Sequence, residues 1–121
     1  MPGAYPEGAG SAYVFSETKG VWKQVAELKG SDTVAGDEFG YSVGVSGGTA
    51  AVGADGHADS AGSAYVFTET KGVWKQAAEL KGSDTVAFDT FGYSVAIAGS
   101  VAIVGAYGHA DEGGRAYVFA A

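Results

Sequence analysis

The chain repeats itself with a fixed period. Residues 11–62, which begin Ser-Ala-Tyr-Val-Phe, return almost unaltered as residues 63–114, and about three quarters of the paired positions are identical. The motif begins a third time at Arg115, so both intervals (63 − 11 and 115 − 63) are 52 residues. Such a period is typical of repeat architectures, in which no unit buries its apolar face alone and neighbouring units supply the missing core.

Composition excludes several classes of protein. The net charge of −7 argues against nucleic acid as a partner, because phosphate contacts need a basic surface. There are no cysteines, so disulfides and thiolate metal sites are excluded. No stretch approaches the 18 or so apolar residues of a membrane helix, and residues 1–20 lack a signal-peptide pattern, so the sequence predicts no membrane insertion and leaves the compartment unknown.

Apolar periodicity predicts four short strands in each unit. In the unit that spans residues 39–90 the strands are Phe39–Ser46, Thr49–Ala54, Ala64–Thr68 and Val73–Leu80, separated by glycine-rich turns or by loops of small and acidic residues. In the fourth strand, Lys75 and Glu79 are predicted to form a charged outer edge. Four strands per unit of this length predict an all-β fold, a β-propeller of four-stranded antiparallel blades with about two blades per chain.

The repeat is out of phase with the predicted blade. We expect an N-terminal segment (1–10), a partial blade of outer strands (11–38), a complete blade with its connecting loop (39–90) and a partial blade of inner strands (91–121). The two partial blades are complementary, so the sequence predicts head-to-tail assembly into a closed homo-oligomer, with a trimer or tetramer favoured over a dimer. The third strand of the shared blade is then present twice, as Ala12–Phe15 of one copy and as Ala116–Phe119 of the other, and only one of them can occupy that position. The alternative to assembly is that the chain is a piece of a longer propeller.

Two motifs carry a family resemblance. Phe39-Gly40 followed by Val52-Gly53-Ala54, and the copies Phe91-Gly92 and Val104-Gly105-Ala106, resemble the FG-GAP repeats of integrin α-subunit propellers and bacterial surface proteins. The resemblance implies a non-enzymatic structural or binding module, and it favours an extracellular or cell-surface location. Many relatives carry a calcium loop between these two motifs. Here that space holds only a short turn without a carboxylate, so no cofactor is predicted, although calcium is the cation that the resemblance suggests.

The two long loops of each unit are predicted to meet on one face, together with their acidic and histidine side chains. The Gly-His-Ala-Asp element pairs His57 with Asp59, and its copy pairs His109 with Asp111, at a spacing that suits a shared metal ion. The alternative is a polar loop in which the aspartate caps backbone amides. The predicted face comprises Asp32, Asp37, Glu38, Asp55, His57 and Asp59 from the first copy, and Asp84, Asp89, His109, Asp111 and Glu112 from the second.

A lectin-like carbohydrate-binding propeller is the alternative function. Trp22 and Trp74 either stack on sugar rings or fill the wedge between blades, and Asp55, His57 and His109 complete the candidate ligand-binding set. A protein is the other kind of ligand considered for this module. No catalytic residue is predicted, because no nucleophile motif and no distinctive carboxylate pair is present. Asp37 and Asp89, each two residues before Phe-Gly, are predicted to stabilise the turn that leads into the inner strand.

Overall fold

The computed structural model describes residues 9–109 and 113–120. Most of the predicted N-terminal segment (1–10), together with Asp111 and Glu112, therefore lies outside the described residues. The strands are β1 (Ala12–Thr18), β2 (Val21–Leu28), β3 (Ser42–Ser46), β4 (Thr49–Ala54), β5 (Ser63–Thr70), β6 (Val73–Leu80), β7 (Ser94–Ala98), β8 (Val101–Ala106) and β9 (Arg115–Ala120).

These strands form three antiparallel sheets. The first sheet is β1-β2, the second is β3-β4-β5-β6 and the third is β7-β8-β9. The all-β prediction is thus confirmed, and the strand order within each sheet follows the predicted order. Within the described part of the chain, no helix is long and apolar enough to span a membrane.

Predicted strand bounds agree best where glycine turns limit the strands. β4 and β6 begin and end where the sequence predicts, and the Lys71–Gly72 turn has positive φ at both residues (53° and 82°), as a type I′ hairpin turn requires. The predicted strand Phe39–Ser46 is too long. Its first three residues form a turn instead, because Gly40 has a φ of 96° and the Tyr41 amide donates to the Glu38 carbonyl.

Phe-Gly joins one sheet to the next. The Phe39 amide donates to the Ala9 carbonyl (2.9 Å), just before β1, and the Phe39 ring is almost fully buried. Gly40 packs so closely that a Cβ on it would lie 2.4 Å from the Ser11 carbonyl oxygen. Any larger residue would therefore separate the sheets, which explains why glycine follows phenylalanine here.

The core lies between sheets, as the repeat period predicts. Phe39 packs edge-on against Tyr65 and Phe67, with ring centroids 5.4 and 6.0 Å away, and this cluster includes Ala12 and Leu28 of the first sheet. Phe91 makes the same contacts with Tyr117 and Phe119, at 5.4 and 6.0 Å, in a second cluster between the second and third sheets. The repeated sequence thus produces a repeated core.

Equivalent side chains differ sharply in exposure between copies. Tyr65 and Phe67 of β5 are 0% and 3% exposed, whereas their copies in β1, Tyr13 and Phe15, are 55% and 52% exposed. Trp22 of β2 is 68% exposed, whereas Trp74 of β6 is half-buried against the core between the first and second sheets. The first sheet therefore leaves exposed an apolar surface whose copy in the second sheet is covered.

Candidate functional site

The two long connections of each unit converge at one end of a sheet. For the second sheet these are the β2–β3 loop (29–41) and the β4–β5 connection (55–62), which contains a four-residue helical turn, α1 (His57–Ser60). Ala58 and Asp59 within α1 have positive φ (53° and 59°), so the turn is irregular. The predicted gathering of polar side chains occurs here, but its members are partly different from those expected.

His57 is the centre of this group. Its Nδ1 lies 2.6 Å from Oδ2 of Asp37, which is buried and also accepts a hydrogen bond from the Val34 amide (3.0 Å). This second bond confirms that Asp37 stabilises the turn before Phe-Gly. The His57 Nε2 atom lies 3.5 Å from Asp32 Oδ2 and 3.7 Å from Glu79 Oε2. Three carboxylates therefore surround one imidazole.

Hydroxyl groups hold two of these carboxylates in place. The Tyr65 hydroxyl donates to Asp32 (2.6 Å), and the Ser63 hydroxyl donates to Glu79 (2.9 Å). Burial opposes ionisation of Asp32, but the hydrogen bond from Tyr65 and the neighbouring imidazole prevail, so the pKa of Asp32 is lowered. Burial and the hydrogen bond to Asp32 raise the pKa of Tyr65, which stays a neutral donor.

The third sheet repeats this group around His109. Its Nδ1 lies 2.7 Å from Asp89 Oδ2, and its Nε2 lies 3.6 Å from Asp84 Oδ2. The Tyr117 hydroxyl donates to Asp84 and lowers the pKa of that aspartate, while burial and this bond raise the pKa of Tyr117 to about 12. Arg115, which replaces Ser63 in this copy, lies 3.6 Å from Asp84.

Asp32, His57 and Glu79 are the described residues best placed to hold a cation. One ligand atom from each lies within 4.8 Å of the others. Two carboxylate oxygens and one imidazole nitrogen form a donor set that suits zinc and similar divalent ions. The group also has partners within the protein, since the Tyr65 hydroxyl donates to Asp32 and the Ser63 hydroxyl donates to Glu79.

The structure places the remaining predicted residues as follows. Asp59 is exposed on α1, where its carbonyl accepts from the Phe88 amide (3.1 Å). Asp55 is buried, and Trp22 and Trp74 lie on the outer strands away from His57. Asp111, the other predicted metal ligand, lies outside the described residues.

Sequence patterns missed the part that Glu79 plays. The sequence predicts a charged outer edge, but the structure turns the Glu79 side chain towards Ser63 and His57. One signal was present in the sequence, because Glu27 and Ser11 repeat the pair and make the same 2.9 Å hydrogen bond in the first sheet.

Comparison with known families agrees with this geometry. The family model described as FG-GAP repeat matches residues 22–67 and again 74–119, well over half of the chain. The chain belongs to the FG-GAP repeat family. Repeats of this family are propeller-type blades that are typically non-catalytic. No curated protein matches the chain significantly.

Proposed function

We propose that this FG-GAP module is a non-enzymatic binding scaffold, completed as a closed β-propeller by head-to-tail assembly with further copies of the chain. The observation that carries the proposal is the contrast between equivalent side chains. Tyr13 and Phe15 are more than half exposed in β1, whereas the same residues of β5 are buried by β3, β4 and their neighbours. Fully burying such a ring contributes about 1.5–3 kcal/mol.

An apolar groove beside β1 supports this proposal. It has a volume of about 480 Å³ and runs between β1 and the β3–β4 hairpin. One wall includes Tyr13 and Phe15, and the other includes Val43 and Val45, which are exposed. At the equivalent place between the second and third sheets, β3 and β4 themselves fill the space beside β5 and β7.

The occupant that fits this groove is the β7–β8 hairpin of a second copy, because it repeats β3–β4 at the 52-residue period. The chain supplies a template for the contact. A Cβ placed on Gly44 of β3 would lie 3.6 Å from the Ile97 side chain of β7. Ala96 is the repeat of Gly44, and Val45 is the repeat of Ile97, at the 52-residue period. The equivalent contact between two chains therefore packs Ala96 of one copy against Val45 of the next.

Assembly of this kind also completes the polar group around His109. The described part of the third sheet contains no equivalent of Glu79, whose repeat position in the first sheet is Glu27. Bringing the β1–β2 hairpin of one copy to the β7–β8 hairpin of another would place Glu27 beside His109. Strands β1 and β9 then compete for one position, so one of them must leave the shared blade.

Cross-linking tests this arrangement directly, since the chain contains no cysteine. We expect an equimolar mixture of Val45→Cys and Ala96→Cys proteins to form a disulfide-linked dimer on oxidation, while either variant alone does not form this link. Pairing Val86→Cys, an exposed loop position, with Ala96→Cys is the control. Light scattering of the unmodified protein should give three or four times the mass of one chain. A folded monomer in dilute solution would reject the proposal.

One observation favours carbohydrate binding as a second function. The Trp22 ring is 68% exposed on an outer strand, and an exposed indole can stack on a sugar ring. We expect glycan-array binding, if present, to be lost in Trp22→Ala. Retention of binding in that variant would exclude this ring as the sugar platform.

A further inference from the structure

Asp55 is a buried carboxylate with one unsatisfied oxygen atom. Its side chain follows β4 at the end of the second sheet and is 7% exposed, and its Oδ1 atom has no hydrogen-bond partner among the described residues. Burial, and then the neighbouring Glu38 carboxyl group, raise the pKa of Asp55 to about 6. Two adjacent carboxyl groups with an unsatisfied oxygen destabilise a fold unless something else pairs with them.

The other repeat shows that the blade does not need this pair. There Thr90 replaces Glu38, and Tyr107 replaces Asp55. The surrounding backbone is the same in both copies: Gly56 donates to the Asp37 carbonyl at 3.0 Å, and Gly108 donates to the Asp89 carbonyl at 3.1 Å. The carboxyl pair is therefore an addition to the first repeat that the fold itself does not explain.

Exposed tyrosine rings extend from this pair across the same end of the molecule. Tyr41 and Tyr93 have centroids 5.2 Å apart, and Tyr93 and Tyr107 have centroids 4.5 Å apart. All three side chains are about half exposed. The Tyr41 amide donates to the Glu38 carbonyl (3.0 Å) and the Gly56 amide donates to the Asp37 carbonyl (3.0 Å), so Tyr41, Glu38 and Asp55 lie on two adjoining turns. The hydrogen bond with Tyr93 is the main cause that raises the pKa of Tyr41, and the negative charges of Asp55 and Glu38 add to it.

We propose that Glu38, Asp55 and the Tyr41–Tyr93 pair form a binding site for a primary alkylammonium group. An ammonium ion is a donor, so it can satisfy the unpaired Asp55 oxygen and neutralise the carboxyl pair. The negative faces of aromatic rings attract the same cation. Calcium fits less well, because it needs six to eight oxygen ligands and ring faces supply none. The site lies within one chain and does not depend on assembly.

Titration with n-butylammonium chloride at constant ionic strength, followed by tyrosine fluorescence or amide NMR shifts, tests the site. We expect saturable binding of butylammonium. Its affinity should weaken about tenfold in Asp55→Asn, because this substitution removes one charge-assisted hydrogen bond. Asp59→Asn removes the same charge from an exposed position on α1 and should bind normally. The double variant Glu38→Thr/Asp55→Tyr copies the second repeat, so it should fold and should not bind.

The source of the ammonium group can be distinguished with a second probe. Tighter binding of the peptide acetyl-Ala-Lys-Ala-amide than of butylammonium would identify a protein lysine as the ligand, and equal binding would identify a small amine; both support the site. Binding that is equal in Asp55→Asn and in the unmodified protein would overturn the proposal. So would the absence of saturation with either probe, or tighter binding of calcium chloride than of both.

Discussion

Val45 provides the sharpest test of assembly, because it is exposed in one chain and buried at the proposed junction. Its side chain is 65% exposed on the wall of the groove between β1 and β3. Replacement by aspartate should therefore leave the fold of a single chain intact. In the assembly, the same replacement would put an unpaired carboxylate against Ala96 of the next copy. An uncompensated buried charge costs about 3–5 kcal/mol, so each junction should weaken by at least roughly 150-fold.

Sedimentation velocity over a range of protein concentrations measures this effect. We expect the unmodified protein to sediment as a trimer or tetramer and Val45→Asp to sediment mainly as a monomer with an unchanged circular dichroism spectrum. Val86→Asp is the matched control, because Val86 is equally exposed at 65% but lines neither groove wall. If Val45→Asp assembles as well as this control does, the proposed junction is wrong.

Three further predictions concern stability, measured by urea denaturation. Tyr65→Phe removes the donor to Asp32 and should lower the free energy of unfolding by about 1–2 kcal/mol, whereas Tyr13→Phe, in the exposed copy, should change it little. Asp37→Ala should lower it by about 2 kcal/mol, because the Val34 amide and His57 both lose a buried partner; an effect no larger than that of Asp59→Ala would contradict this. The pKa of Asp55 is about 6 in the folded protein and 3.8 in a model peptide, so the native state holds this proton more tightly than the unfolded state does. The contribution of Asp55 to the free energy of unfolding should therefore fall as the pH rises from 4 to about 6 and stay constant above about pH 6. The difference in stability between pH 5 and pH 7 should therefore shift in Asp55→Asn, and an identical pH profile in the two proteins would refute the assignment.

Local sequence determined most of the strands. The 52-residue period and the alternation of apolar residues predicted β4 and β6 to the residue, because the positive-φ glycines Gly47 and Gly72 form the turns from which these strands begin. The Phe-Gly motif predicted the family, and the structure gives the reason, since Gly40 lies too close to Ser11 for any side chain. These features depend on backbone geometry within a few residues, which a single sequence contains.

Side-chain partners from distant elements could not be predicted in the same way. The sequence pairs His57 with Asp59, two residues away, but the structure places the imidazole among Asp37, Asp32 and Glu79, which lie between 20 and 25 positions away in the chain. The alternation of residues along β6 predicts on which face of the sheet Glu79 lies. It does not show that the β2–β3 loop covers that face. Loop paths are set by long-range packing, so no local pattern contains this information.

The repeated sequence thus determined which residues are strands, which glycines join them and which rings can form a core. Only the tertiary structure decided which of the repeated rings are buried. Tyr13 and Tyr65 occupy identical sequence surroundings, yet one is 55% exposed and the other is fully buried, because burial depends on a neighbouring sheet and not on the residue itself.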